Sequence, residues 1–233
     1  MSPVPTSLIP ARPYDFTLDL PRAALLIIDM QRDFVEPGGF GESLGNDVSQ
    51  LRSSIEPLQR LLAAARASGL FVMHTREGHK PDLSDLHETK RTRGRAEKTI
   101  GDAGPMGRIL IIGEPGQDII PELYPIPGEP VIDKPGKGAF YATELTDIVA
   151  ERGITQLIVC GVTTEVCVHT TVREANDRGI DCLVLSDCTA SYFPEFHETA
   201  LRMVAAQGGI FGWVSDSTSV IAALTAPAEP AAA

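Results

Sequence analysis

Short apolar runs of strand length alternate along this chain with stretches whose apolar residues recur every three or four positions. No other feature restricts the fold as much. AALLII (Ala23–Ile28) reads as a strand buried on both faces, and across 48–67 the residues Leu51, Ile55, Leu58, Leu61, Leu62 and Ala65 mark one helical face. Pro57 falls inside that span and leaves room for a kink. Gly69 closes the helix, and LFVMHT (70–75) makes a second strand. The pattern continues with EPVID (129–133), a helix over 143–151 ended by Gly153, and the strand QLIVC (156–160). A helix over 165–178 ended by Gly179, a strand over 180–185, a helix over 195–206 and the strand IFGWV (210–214) complete it. Strands separated by helices join by right-handed crossovers, so six of them predict a mostly parallel six-stranded sheet covered on both faces. That is a three-layer α/β/α sandwich, Rossmann-like, with ligands expected beyond the carboxyl ends of its strands.

With 233 residues, 43% of them hydrophobic, one domain is expected over 1–225, followed by a tail (226–233, APAEPAAA) that has nothing to bury and is expected to be disordered. The stretch 76–127 is mixed in charge and rich in Gly and Pro around RILII (108–112), and reads as an excursion near the site. Its basic run KRTRGR (90–95) reads as a solvated loop. A formal net charge of -11 opposes binding to nucleic acid or to an anionic membrane surface. Pro3, Pro5 and Pro10 break up the N-terminal apolar residues, so no signal-peptide core is read there, and no run approaches membrane-spanning length. Cys160, Cys167, Cys182 and Cys188 are spaced unlike a zinc site and are too few for a disulfide scaffold. A cytoplasmic protein is expected.

Three ionisable residues fall at equivalent places in this scheme. Asp29 ends the first strand, Lys134 follows the strand that closes at Asp133, and Cys167 lies in GVTTEVCV (161–168), between a strand and a helix start. A thiol at a helix N-terminus feels the positive end of the dipole and can ionise near neutral pH. Singly, Asp29 can cap a turn, Lys134 can pair with Asp133 or face solvent, and Cys167 can pack as a small hydrophobe. All three, however, should converge on one rim of the sheet.

The motifs DMQRDF (29–34), KPGKGAF (134–140) and GVTTEVCV, in that order, resemble the isochorismatase-like cysteine hydrolases, which include nicotinamidase and N-carbamoylsarcosine amidohydrolase. The resemblance runs from about Ala23 to Leu224 and implies a catalytic triad of Asp29, Lys134 and Cys167. It also implies a cis peptide at Val162-Thr163 that aims the N–H groups of Thr163 and Cys167 at one oxyanion. Homo-oligomers, commonly tetramers, are implied too. No cofactor is implied, and none of the residues is read as a metal ligand. HTREGHK (74–80) lacks the Asp-x-His pattern of metal-binding nicotinamidases, so His79 reads as a hydrogen-bonding loop residue. His169 lies two residues along a helix from Cys167 and faces elsewhere, which excludes a Cys-His pair. His87 and His197 read as surface residues.

Within that family TREGH (75–79), GEPG (113–116), DKPGKG (133–138), REANDRG (173–179) and QGGIFG (207–212) resemble the hydrolases of linear ureides. The resemblance implies a small neutral ureide as partner, triuret first or biuret, cleaved to ammonia and a carboxylated shorter ureide. FGWVSD (211–216) also resembles the ureidoacrylate amidohydrolases, which keeps that substrate and N-carbamoyl amides as alternatives. Gln207 is expected to read the substrate, because its amide offers an acceptor and two donors to a ureide edge, unless it ends the preceding helix. Phe34 and Phe140 are expected as apolar walls or as core, and Arg76 and Glu77 as substrate contacts or as partners of one another. Two rivals stand beside this reading. Isochorismatase itself cleaves a vinyl ether without the cysteine. A thiol redox sensor would need a resolving cysteine, and Cys160, directed into the core, is a poor one.

Overall fold

The computed structural model describes residues 6–93 and 97–226. Six strands, β3 (Ala23–Ile28), β4 (Phe71–Glu77), β5 (Val131–Lys134), β6 (Gln156–Val162), β7 (Asp181–Ala190) and β8 (Trp213–Ser215), form one parallel sheet. Their order across it is β8-β7-β6-β3-β4-β5. They are preceded by an antiparallel hairpin of β1 (Thr6–Ile9) and β2 (Phe16–Asp19). The main helices are α1 (Ile55–Ser68), α2 (Leu145–Glu151), α3 (His169–Asp177), α4 (Pro194–Gly209) and α5 (Ser217–Thr225). The expected α/β/α sandwich is the fold found.

From β3 the chain runs outward through β4 and β5. It then returns to β6 on the other side of β3 and runs outward again through β7 and β8. Right-handed crossovers taken in opposite directions put their helices on opposite faces. Accordingly Leu58, Leu61 and Leu62 of α1 share one core with Leu25 and Ile27, whereas Leu145, Val172 and Leu201 of α2, α3 and α4 share the other with Leu26 and Ile28. Every residue of β3 is buried and alternate side chains serve different cores, so its sequence is a continuous apolar run. The reversal of strand order lies between β3 and β6, and a sheet of this kind opens its crevice there.

Several local expectations are corrected. The helix expected over 48–67 is interrupted: Ser49–Arg52 makes one turn and α1 begins afresh at Ile55. Pro57 therefore sits in the first turn of α1, where a helix has no intrahelical use for the missing N–H, and no kink follows. β7 continues past 185 to Ala190, with a register shift against β6 between Val159 and Gly161. Neither the β1–β2 hairpin nor α5 was foreseen. The hairpin buries Ile9, Phe16 and Leu18 against the α1 core, with Phe16 edge-on to Trp213 at 5.2 Å between ring centroids. α5 adds Val220 to the same core and starts at Asp216, whose carboxylate accepts the Ser219 N–H at 2.9 Å. Most of the expected tail (227–233) and part of the basic run (94–95) fall outside the described residues. Among the described residues no helix is long and apolar enough to cross a membrane.

Candidate active site

Asp29 follows β3 with φ 52°, a left-handed conformation that Asp tolerates better than most residues, and its N–H bonds the Thr75 carbonyl at 3.1 Å. The turn sends its carboxylate sideways under the end of β5. There Asp29 Oδ2 meets Lys134 Nζ at 2.7 Å, and Oδ1 accepts the Thr75 hydroxyl at 2.6 Å. Lys134 is the last residue of β5 rather than the one after it. Its ammonium also donates to the carbonyls of Gly136 and Lys137, both at 3.0 Å.

Cys167 lies in a helical turn of π type, Thr164–Val168, that leads into α3, and the Val162-Thr163 peptide before it is cis. Gly161 (φ 103°) makes the approach possible, since a Cβ there would collide with the Ile28 carbonyl of β3. Cys167 Sγ, one carboxylate oxygen of Asp29 and one of Glu77 all lie within 4.8 Å of one another. A cation could be sought among three such ligands, but the ammonium groups of Lys134, Lys90 and Lys137 already lie against the two carboxylates.

Glu77, wholly buried at the end of β4, is the residue most completed by the fold. Its carboxylate meets Lys90 at 2.7 Å and Lys137 at 2.9 Å, and the Cys167 thiol donates to it over 3.8 Å. Burial would raise its pKa, but Lys134, Lys137 and Lys90 outweigh that and hold it at about 2, against an ordinary 4.5. Burial likewise opposes the charge on Lys134, and Asp29, Cys167 and Glu77 reverse the effect and keep it an ammonium. For Cys167 the balance goes the other way. Burial, with Asp29 and Glu77 beside it, pushes the thiol well up despite Lys134 and Lys137. Burial and the two carboxylates thus oppose the ionisation near neutral pH that was expected from the helix end.

Other expected site residues fall elsewhere. Strand alternation sends Arg76 to the face opposite Glu77, so the two do not pair. Arg76 instead bonds Asp133 at 2.9 Å and Asp118 at 3.0 Å, beside a separate cleft shared with Arg32 and Tyr124. Phe140 is core, buried beneath the Arg178 guanidinium at 5.0 Å, whereas Phe34 is half-buried between two apolar clusters. Gln207 is exposed at the far end of α4, where it turns left-handed (φ 52°) and the helix ends. The other end of α4 holds His197 against the Thr164 hydroxyl at 2.8 Å, and Gly212, soon after Gln207, packs on Cys182 near the start of β7. Within one chain Gln207 is therefore near the amino ends of the strands, away from Cys167 beyond their carboxyl ends, and it ends the helix there. His197, read as surface, is a half-buried rim residue. His79 is a hydrogen-bonding residue, with Nδ1 3.3 Å from Asp85 and Nε2 2.9 Å from Lys90. His169 accepts from Arg173 at 3.0 Å, away from the thiol.

Three contributors were missed: Lys137, Lys90 and Gln31. Lys90, from the run read as a solvated loop, also donates to the Pro135 carbonyl at 2.7 Å. Gln31, inside DMQRDF, holds both backbone groups of Glu77: its Oε1 accepts the Glu77 N–H at 2.7 Å and its Nε2 donates to the Glu77 carbonyl at 2.8 Å. A polar residue two positions after a strand-end acid was the available signal for Gln31. Nothing local marks Lys90.

The model of the isochorismatase domain matches residues 23–219. The chain is 34% identical over 222 residues to the ureidoacrylate amidohydrolase RutB of Methylorubrum extorquens strain DM4, which covers 93% of this chain and 88% of that protein. A cysteine hydrolase from Pseudomonas syringae pv. phaseolicola 1448A has a similar structure, with a TM-score of 0.74, 26% identity, and coverage of 94% of this chain and 97% of that one. The fold is also that of an N-carbamoylsarcosine amidase from Thermoplasma acidophilum, at a TM-score of 0.64 and 23% identity over 84% of this chain and 96% of the other.

Proposed function

Because this chain belongs to the isochorismatase family, we propose that it is a cysteine-dependent amidohydrolase that cleaves a C–N bond of a small ureido acid or N-carbamoyl compound. The observation that carries the chemistry is the buried meeting of Asp29, Lys134 and Cys167 at the point where strand order reverses. Substrate class rests on two supports. One is the full-length similarity to a ureidoacrylate amidohydrolase. The other is charge, since three ammonium groups (Lys90, Lys134, Lys137) face two carboxylates (Asp29, Glu77), a formal surplus of 3 − 2 = +1 that suits a carboxylated substrate. A neutral triuret or biuret, which the sequence motifs put first, gains nothing from that surplus.

Asp29 Oδ2 lies 2.7 Å from Lys134 Nζ, and the second lone pair of that oxygen can take the thiol proton. As that proton moves, Lys134 steadies the thiolate and Sγ bonds the substrate carbonyl carbon. The π electrons move to oxygen, which the N–H groups of Thr163 and Cys167 receive, at about 3 kcal/mol per donor. Collapse of this intermediate breaks the C–N bond, and the nitrogen leaves with the proton from Asp29. Water, deprotonated by the same carboxylate, then hydrolyses the thioester, releasing the carboxylated product and restoring the thiol.

Nitrogen release from ureidoacrylate, N-carbamoylsarcosine, biuret, triuret and nicotinamide, for wild type and Cys167→Ala, tests this. The ureido acid is expected to show the highest kcat/KM, and Cys167→Ala to abolish turnover. A Cys167→Ala protein with near wild-type rates sinks the nucleophile assignment, and a preference for biuret or triuret restores the neutral ureide.

A further inference from the structure

The proposed chemistry leaves Glu77 without a task, yet the fold invests heavily in its position. Gln31 grips its backbone on both sides. Lys137 donates to both of its carboxylate oxygens, at 2.9 and 3.1 Å. Lys90 arrives from the excursion between β4 and β5, and is itself held by the Pro135 carbonyl and His79 Nε2. An ammonium donating to Nε2 requires His79 to carry its proton on Nδ1, facing Asp85. The result is a fixed anion with one oxygen 3.8 Å from the sulfur.

Such an anion is poorly suited to take the thiol proton but well suited to accept hydrogen bonds. A carbonyl carbon poised over Sγ, with its oxygen against backbone donors, must turn its nitrogen substituents away from those donors. Carboxylate oxygens of Asp29 and Glu77 lie within 4.8 Å of the sulfur and can accept from these substituents. A terminal carbamoyl nitrogen carries two N–H groups, enough for one bond to each.

We propose that Glu77 is the specificity-determining residue of this site: its carboxylate accepts an N–H of the substrate's terminal carbamoyl NH2, selecting unsubstituted carbamoyl groups over N-alkylated ones. Lys90 and Lys137 position it. The proposal rests on the amidohydrolase reading.

Glu77→Gln keeps the side-chain size and removes the charge. The first readout is the ratio of kcat/KM for a ureido acid over its terminal N-methyl analogue. Wild type should favour the unsubstituted compound by tenfold or more, and Glu77→Gln should lose most of that ratio. The second is the pH profile of Cys167 alkylation by iodoacetamide, which needs no turnover. The charged groups around Glu77 and the thiol are Asp29 after β3, Lys134 of β5, Lys137 beyond it and Lys90 of the excursion. With these unchanged, loss of a negative charge beside the sulfur should move the profile to lower pH. Should Glu77→Gln fail to fold, Lys90→Met, at a partly exposed side chain, is expected to lower the same ratio by loosening Glu77. A wild type that accepts both substrates equally overturns the proposal, as does a Glu77→Gln protein with unchanged ratio and profile. A wild type inactive on every carbamoyl compound fails the amidohydrolase reading instead.

Discussion

Lys134 shows how much one side chain can carry. Its ammonium and the Asp29 carboxylate are both fully buried and 2.7 Å apart. Removing one member of such a pair leaves the other charge buried alone, so Lys134→Ala should destabilise the protein by about 3–5 kcal/mol, as read from urea denaturation, as well as stopping turnover. Glu77 makes a pH-dependent contribution whose sign follows from its depressed pKa. The stabilisation is complete above its ordinary 4.5 and is lost as pH falls from there toward about 2. Glu77→Gln should therefore flatten the acid limb of the stability curve in that window. The meeting of Asp29, Lys134 and Cys167 was legible in sequence because each stands after or at the end of a strand, within a motif. The opposition to ionising Cys167 was not, because burial and two neighbouring carboxylates outweigh Lys134 and Lys137, and those carboxylates stand at the ends of β3 and β4.

At the scale of elements, strand period and helix length decide what reaches the site. One residue of shift along β4 separates Glu77, under the sulfur, from Arg76 on the other face. The course of α4 carries Gln207 away from the end where His197 touches Thr164. The β1–β2 hairpin closes the α1 core from outside the sheet, and Phe16 is 2% exposed within it. Phe16→Ala should cost about 3–5 kcal/mol in urea or thermal unfolding while leaving the chemistry of any protein that still folds intact, since the cavity opens far from Cys167. That hairpin was illegible beforehand because its strands are short and flank prolines.

For the whole molecule, acid should act before the carboxylates titrate. Burial holds His74, His79, His169 and His197 below their ordinary 6.5. Unfolded, these four take up protons that the folded protein resists, so stability falls as pH drops below 6.5. The urea midpoint should thus be lower at about pH 5.5 than at about pH 7.5, and an unchanged midpoint would contradict the buried neutral histidines.

The sequence by itself determined the layers, the parallel sheet and the rim at which Asp29, Lys134 and Cys167 meet. Apolar periodicity and strand-end position are local properties, and the right-handed crossover converts them into topology. Only the tertiary structure decided that Lys90 enters the site from an apparently solvated loop, that Glu77 stays an anion beside a thiol whose ionisation burial opposes, and that within one chain Gln207 lies away from Cys167. Each depends on distances between residues far apart in the chain, and charge and desolvation act through those distances rather than along the sequence.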